Sequence, residues 1–380
     1  MHGSVPNDFL SCTAVPIPKG RNVNLTDSAN YRGISLSSVL GKVFDLIVLC
    51  RYSEYLESCE LQFGFKPKRS TAMCSMILKE AISYYSHNNN SVYCVFLDAT
   101  KAFDRVNYCK LFRLLLKRNM PPHVVRVLMN MYTGQQVRVS WNGIFSSSFG
   151  VTNGVKQGGI LSPILFCVYM DILLVSLRDA GIGCFIGESF VGALAYADDI
   201  VLLAPTAHAM RRLLSICDKY GSEYSMSFNA SKSKCLIFRA RHSFRAIYEQ
   251  LKPFVIGGNE IEFVTRWSHL GHVINIQLTD DDDVAARKSQ LIGQTNGLIC
   301  NFSKLDPMTR NRLFQVYCTS FYRCQIWDLY NTKSVEDFCT AWRKGMRRVW
   351  SLPANARSDA VYLVAGVIPI FDELCKWMLA

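Results

Sequence analysis

The sequence predicts an α+β fold, and three observations carry that reading. Hydrophobic residues make up 49% of 380 positions, enough for one large or two to three smaller cores. Apolar runs of strand length, such as "SVYCVFLD" from Ser91 to Asp98, sit among segments of helical spacing. Short hairpin signals interrupt the order, so a regular βαβ alternation is not expected.

Taken in order, residues 1 to about 35 are loop-rich, with "VPIPKG" as a short strand ending in a Pro-Lys-Gly turn. From Leu36 to Leu56 the apolar residues recur at helical spacing and would line one broad face. "FGFKPKRS" is a basic loop leading to a helix from Thr71 to about Ser86, and Ser91 to Asp98 is a buried strand. Residues 106–132 form two helices broken at Pro121-Pro122, followed by a hairpin from Gln135 with Asn142-Gly143 as its turn. Ser162-Pro163 fits the N-cap and first position of a helix to about Arg178. Strand pairs flank Asp198, a helix covers about 206–221, and "KCLIFRA" is a strand. Helices are expected at roughly 284–303, 307–332 and 335–350, the first preceded by the run Asp280 to Asp283, which reads as a solvated, helix-starting acidic turn.

A net charge of +12 favours a polyanionic partner such as nucleic acid. The fifteen cysteines are scattered without a C-x-x-C pair, which speaks against a zinc site, and several lie inside apolar runs, as Cys94 and Cys167 do. They read as reduced, buried thiols of an intracellular protein rather than a secreted disulfide framework. No uninterrupted apolar run is long enough to span a bilayer. The chain is therefore expected to be soluble and intracellular.

The stretch "LAYADDIVLL" places Asp198 and Asp199 in an otherwise apolar run, at a turn between two strands. Adjacent ionised carboxylates in such a setting repel and need a positive partner. An ordinary solvated turn is the plain alternative. A third carboxylate, Asp98, ends the apolar strand Val92 to Leu97, and such a set suits a site that gathers two divalent ions for phosphoryl or nucleotidyl transfer.

The ordered segments "IPKG", "NYRGISLSS", "QFGFKPKRST", "FLDATKAFDRV", "NGVKQGGILSPILF", "AYADD", "MSFNASKSKCLIF" and "HLGHVI", over about residues 12–275, resemble the reverse transcriptase domain of non-LTR (LINE-type) retrotransposons. The resemblance implies a right-hand polymerase. Helical and loop-built fingers would occupy 1–90. A palm with an antiparallel sheet would occupy 91–277, with part of the fingers at about 106–160, a helical thumb 278–350, and a C-terminal extension 351–380. It also implies a fragment truncated at both ends, with no endonuclease ahead of the fingers.

Carried over by position, Asp98, Asp198 and Asp199 would hold two Mg²⁺ or Mn²⁺ ions, with the Ala99 carbonyl as a backbone ligand. Lys19 and Arg32 would hold the incoming triphosphate, Phe103 would bar a ribose 2′-hydroxyl, and Gln157 and Gly158 would pack on the nucleotide. Lys232 would protonate the departing pyrophosphate, and Leu270 and Gly271 would belong to the hairpin that grips the primer. Basic residues beside aromatics at Lys66, Lys68 and Arg69, and again at Arg347 and Arg348, read as phosphate contacts; a solvated helix face is the alternative for the second group. The expected partners are an RNA template, a DNA primer or nicked target DNA, and dNTPs. The expected setting is a cytoplasmic ribonucleoprotein and the nucleus. A catalytically inactive, domesticated RNA-binding relic is the competing reading.

Overall fold

The computed structural model describes residues 3, 5–20, 23–240, 251–319 and 324–379. Helices and sheets are interspersed as the sequence predicts, and the contacts divide the chain into two compact units. One takes in Met1–Ser70, Asn90–Cys235 and His242–Phe263; the other takes in Thr71–Asn89, Leu236–Arg241 and Val264–Ala380, in each case so far as these are described.

The first unit opens with a short helix, α1 (Asn7–Leu10), and strand β1 (Ser11–Pro18), antiparallel to β2 (Tyr31–Ser37) with Ile17 opposite Arg32. Leu36 is paired with Thr13 in that ladder, so the helix expected from Leu36 starts later, as α2 (Val39–Tyr52). Ser38 caps it by accepting the Gly41 amide hydrogen. Part of its apolar face is open, with Val39 and Leu40 75% and 62% exposed.

The central sheet is built on β3 (Val92–Asp98), whose residues are buried up to Leu97 because nothing in "VYCVFL" is polar enough to require water. After helix α3 (Thr71–His87), which belongs to the other unit, and β3 come helices α4 (Tyr108–Lys117) and α5 (Pro122–Thr133). Strands β4 (Gln136–Trp141), β5 (Ile144–Phe145) and β6 (Phe149–Gly150) follow, with Asn142 and Gly143 both at positive φ in the β4–β5 turn as that dipeptide predicts.

Helix α6 (Ser162–Asp179) is apolar nearly all round and lies in the core. Its cap is displaced by one residue from expectation. Leu161 holds the cap position, while buried Ser162 stands 3.5 Å from the Tyr132 hydroxyl. Then come β7 (Phe185–Ile186), β8 (Ser189–Phe190), β9 (Ala193–Tyr196), β10 (Asp199–Ala204), helix α7 (Ala207–Tyr224), β11 (Lys234–Phe238), β12 (Phe254–Ile256) and β13 (Asn259–Phe263). The sheet order is β12-β13-β11-β3-β10-β9, antiparallel from β3 through β9 but parallel between β11 and β13.

In the second unit, β14 (Arg266–His269) and β15 (His272–Asn275) form a hairpin, followed by α8 (Asp281–Phe302), α9 (Pro307–Tyr317), α10 (Thr332–Val349), α11 (Ser358–Ala365) and α12 (Ile370–Leu379). The helix expected over 307–332 ends at Tyr317 instead; part of that expectation, 320–323, lies outside the described residues. Residues 71–89 and 264–277 group with the helices, and Val361, Ala365, Ile370 and Leu374 enter the same apolar core as Phe314 and Trp342. Residues after 350 thus contribute to this unit's core. Among the described residues no helix is long and apolar enough to cross a membrane, and no disulfide joins two cysteines.

Candidate active site

Strands β3 and β10 run antiparallel in a register that sets Asp98 directly opposite Asp199, and β9 and β10 pair Tyr196 with Asp199. The link between β9 and β10 is therefore the two-residue turn Ala197-Asp198. Three carboxylates meet at one end of two buried strands. Ala197 takes φ +57°, a left-handed conformation that costs a non-glycine residue energy and persists only where its surroundings impose it.

The carboxylates lack adequate compensation. Burial raises the pKa of Asp198; its own backbone hydrogen bond and the Arg32 charge work against that rise, while Asp98 adds to it. The Asp199 carboxyl is pushed up to about 6, first by loss of water around it and then by Asp198 and Asp98, although the residue as a whole keeps an exposed surface. A group of oxygen donors that resists its own charge suits a hard divalent cation. Among the described residues no three His, Cys, Asp or Glu side chains converge as a ready-made metal cluster. Asp98, Asp198 and Asp199 nevertheless supply the donor chemistry.

Of the other predicted residues of the first unit, Arg32 is tied to this point by its charge. Arg32, on β2, is exposed and acts electrostatically on Asp198, whereas the Lys19 ammonium donates to the Ala29 carbonyl at 2.7 Å. The Gln157 carbonyl accepts from the Ser35 amide at 2.6 Å, and a Cβ on Gly158, at φ +105°, would stand 3.0 Å from the Ser35 carbonyl oxygen. The glycine therefore lets this loop press on β2. The Gln157 side chain donates to Asp104 at 3.2 Å, and the Val155 amide donates to the Phe103 carbonyl at 2.8 Å, so the same loop is tied to the turn after Asp98. The half-buried Phe103 ring stacks on buried Phe166 with centroids 4.6 Å apart.

Ala99 forms an isolated bridge with Phe228, and the Asp98 carbonyl accepts from the Asn229 amide at 2.8 Å. This places the "NASKSK" turn beside the catalytic strand. Lys232 is exposed on that turn, while Lys234 is bound to Glu262 and the Ser231 carbonyl at 2.7 Å each.

The basic residues divide by what they touch. Lys66 commits its ammonium to the Ser58 and Cys59 carbonyls at 2.6 Å each, which closes its own loop. Lys68 and Arg69 are exposed, with the Arg69 guanidinium 5.0 Å from the Phe63 ring centroid. In the second unit Leu270 and Gly271 form the β14–β15 turn, both at positive φ, and the Gly271 carbonyl accepts from Arg287. Arg347 is half-buried and donates to the Ala356 carbonyl at 3.0 Å, whereas Arg348 is exposed.

Two supports escaped the sequence reading. Ser233, fully buried, accepts from the Asp98 amide at 3.1 Å and donates to the Asn229 carbonyl at 2.8 Å, so it fixes the strand end that carries Asp98. Gln62, also fully buried, reaches Ala197. The one available signal was a single polar residue inside the apolar run "LQFGF".

Comparison with known proteins places this geometry. Residues 17–274 match the family described as reverse transcriptase (RNA-dependent DNA polymerase). The chain is 29% identical over 272 residues to the Retrovirus-related Pol polyprotein from type-2 retrotransposable element R2DM of Drosophila melanogaster, covering 71% of this chain and 25% of that protein. It is 23% identical to the probable RNA-directed DNA polymerase from transposon X-element of the same organism, covering 92% of this chain and 39% of the relative. The chain thus spans well under half the length of these relatives. Among solved structures it is similar to apo telomerase from Candida tropicalis, at 11% identity and TM-score 0.49, covering 90% of this chain and 58% of that one. With the family matched across most of the chain, and its three carboxylates gathered at one end of the central sheet, the chain belongs to the reverse transcriptase (RNA-dependent DNA polymerase) family and is similar to the polymerases of non-LTR retrotransposons.

Proposed function

We propose that this chain copies an RNA template by extending a DNA primer 3′-hydroxyl with dNTPs, using two Mg²⁺ ions at Asp98, Asp198 and Asp199. The observation that carries the proposal is the Asp98–Asp199 cross-strand pair with Asp198 on the adjoining turn, where burial raises the pKa of Asp198 and Asp199. Reverse transcriptases depend on divalent metal. When bound, such ions lower the pKa of the attacking hydroxyl and neutralise charge on the leaving phosphates. Mg²⁺ is commonly held by one or two carboxylates plus substrate phosphates and water, which accords with a site lacking a prebuilt cage.

The chain's own residues then have separate tasks. Arg32 and Lys19 hold the triphosphate, Gln157 and Gly158 position the nucleotide, and Lys232 delivers a proton to the departing pyrophosphate. Phe103, locked by its stack on Phe166, blocks the space of a 2′-hydroxyl. In this reading the first unit supplies fingers and palm, and the second supplies the thumb with the Leu270-Gly271 primer hairpin. Lys68, Arg69 and Arg348 track phosphates. The working place would be a cytoplasmic ribonucleoprotein and the nucleus, on nicked target DNA.

The test is primer extension on an RNA template with dNTPs and Mg²⁺. Extension that is lost in Asp198→Ala supports the reading; binding of RNA with no extension under any divalent metal would leave the inactive relic. Sugar choice tests Phe103. Phe103→Ala should raise the efficiency ratio of NTP to dNTP by roughly tenfold, the worth of relieving a single steric clash. An unchanged ratio would return Phe103 to a packing role.

A further inference from the structure

We infer that Gln62 is the positioning residue of the catalytic turn, holding Ala197 in its left-handed conformation so that Asp198 keeps a metal-competent place beside Asp98 and Asp199. Gln62 has no exposed surface. Its Oε1 accepts from the Ala197 amide at 2.8 Å and from the Gly64 amide at 2.9 Å, and its Nε2 donates to the Ala197 carbonyl at 3.3 Å. One side chain therefore grips the peptide groups on both sides of Ala197. The second of these peptide groups carries the Asp198 amide.

The grip is reinforced by backbone. The Ala195 amide donates to the Leu61 carbonyl at 2.9 Å, and the Phe63 amide donates to the Ala195 carbonyl at 2.7 Å, so Leu61 to Phe63 lies as a short parallel strip along β9. Gly64 completes the cradle. A Cβ there would stand 2.5 Å from the Ala197 nitrogen and 3.2 Å from the Tyr196 carbonyl carbon, both backbone atoms that cannot swing aside.

The physical need is plain. A left-handed alanine relaxes unless held, and the carboxylate beside it is pushed away by two like charges. Neutral hydrogen bonds from a fully buried amide oppose both tendencies without adding charge to the site. Because the amide's hydrogen bonds go to backbone groups, Gln62 would act on where Asp198 sits rather than on the reacting atoms. The inference rests on the polymerase reading for what Asp198 binds.

The test uses the whole chain and Gln62→Met, which keeps the length of the side chain and deletes its hydrogen bonds. Mn²⁺ alone, titrated calorimetrically against the protein without nucleic acid, should bind roughly tenfold more weakly, the scale expected for losing buried hydrogen bonds. In primer extension the half-saturating Mg²⁺ concentration should rise similarly, while the rate at saturating metal recovers most of its wild-type value. Placing Ala197→Gly in the Gln62→Met background should restore part of the Mn²⁺ affinity, because glycine adopts positive φ without strain. Should Gln62→Met fail to fold, Gln62→Asn replaces it, being too short to span Ala197 and Gly64 together. Normal Mn²⁺ affinity in either folded variant overturns the inference, as does lower activity with unchanged metal dependence. A wild-type chain that neither extends primers nor loses Mn²⁺ binding in Asp198→Ala fails the polymerase reading itself.

Discussion

The molecule holds two groups of crowded aspartates, and their surroundings are opposite. At the β9–β10 turn, Asp98, Asp198 and Asp199 lie together, the Arg32 charge only partly offsets the burial of Asp198, and the carboxyls of Asp198 and Asp199 are pushed up. At the start of α8, Asp280 and Asp283 are each 1% exposed yet fully answered. Asp280 accepts from Lys79 at 2.8 and 2.9 Å and from the Asp328 amide at 2.8 Å. Asp283 accepts from Trp327 Nε1 at 2.9 Å and the Val273 amide at 3.0 Å. His272 stands between them, 3.4 Å from Asp280 and 3.3 Å from Asp283. Burial opposes their ionisation, but His272 and these donors outweigh it: Asp280 is held below its ordinary range, and Asp283 falls to about 2. Deep burial with satisfied partners marks a structural lock; crowding without them marks a place kept ready for a ligand.

The largest effect that tests this contrast is on chemistry. Asp98→Ala or Asp198→Ala should abolish nucleotide incorporation in a primer-extension assay. Melting temperature should stay level or rise, since each change removes mutual repulsion. A collapse in melting temperature would make the turn structural and break the comparison at its first arm.

The other arm predicts the reverse. Asp283→Ala should destabilise the second unit by about 3–5 kcal/mol, because it strands His272 and Arg287 beside an emptied buried position. Denaturant unfolding measures this. Little loss of stability would mean the cluster is not the lock its hydrogen bonds suggest.

How far the sequence revealed each group follows from the same physics. Asp98 and Asp198 could be picked out because apolar runs bracket them, so burial was legible locally. The Asp280 to Asp283 run was expected to be solvated, and for Asp280 and Asp283 this was incorrect. Their partners, Lys79 at 201 residues' separation and Trp327 at 44, come together only through the fold. The helix start itself was legible, since acidic residues favour a first turn. Gln62 and Ser233 stayed hidden for the reason Lys79 did: their partners Ala197 and Asp98 are each 135 residues away.

The pH dependence of stability sharpens the lock further. Burial alone would lower the pKa of His272, but hydrogen bonds and charge from Asp280 and Asp283 raise it; Lys79 and Arg287 are the other charged groups at the cluster. A raised folded value means that His272 contributes stability fully at pH values below its unfolded pKa, near 6.5. That contribution is lost as pH rises through the higher folded value. Asp283 behaves oppositely: its contribution is present above the ordinary carboxylate range and is lost as pH falls toward about 2. Unfolding curves should therefore show a decline in stability on the alkaline side of 6.5 that disappears in His272→Gln. Persistence of the decline in that variant would assign it elsewhere.

The smallest expected effect carries the same distinction over to positive charge. Arg347 and Arg348 are neighbours on α10, but Arg347 donates to the Ala356 carbonyl within its own unit, while exposed Arg348 donates to the Asn296 side chain at 2.5 Å. An arginine that serves the chain's own carbonyl has less to offer a phosphate. Arg347→Ala should thus lower stability by about 0.5–1.5 kcal/mol, the net worth of one such bond, and leave the salt dependence of primer-template binding unchanged. Arg348→Ala should leave stability within about 0.5 kcal/mol. Its effect should appear in binding, where losing one phosphate contact reduces the slope of log affinity against log salt by about 1. Fluorescence anisotropy at several salt concentrations resolves the two. If both variants keep the wild-type slope, α10 presents a merely solvated basic face, and the rule that an unanswered charge marks a ligand site would hold for the aspartates but not for the arginines.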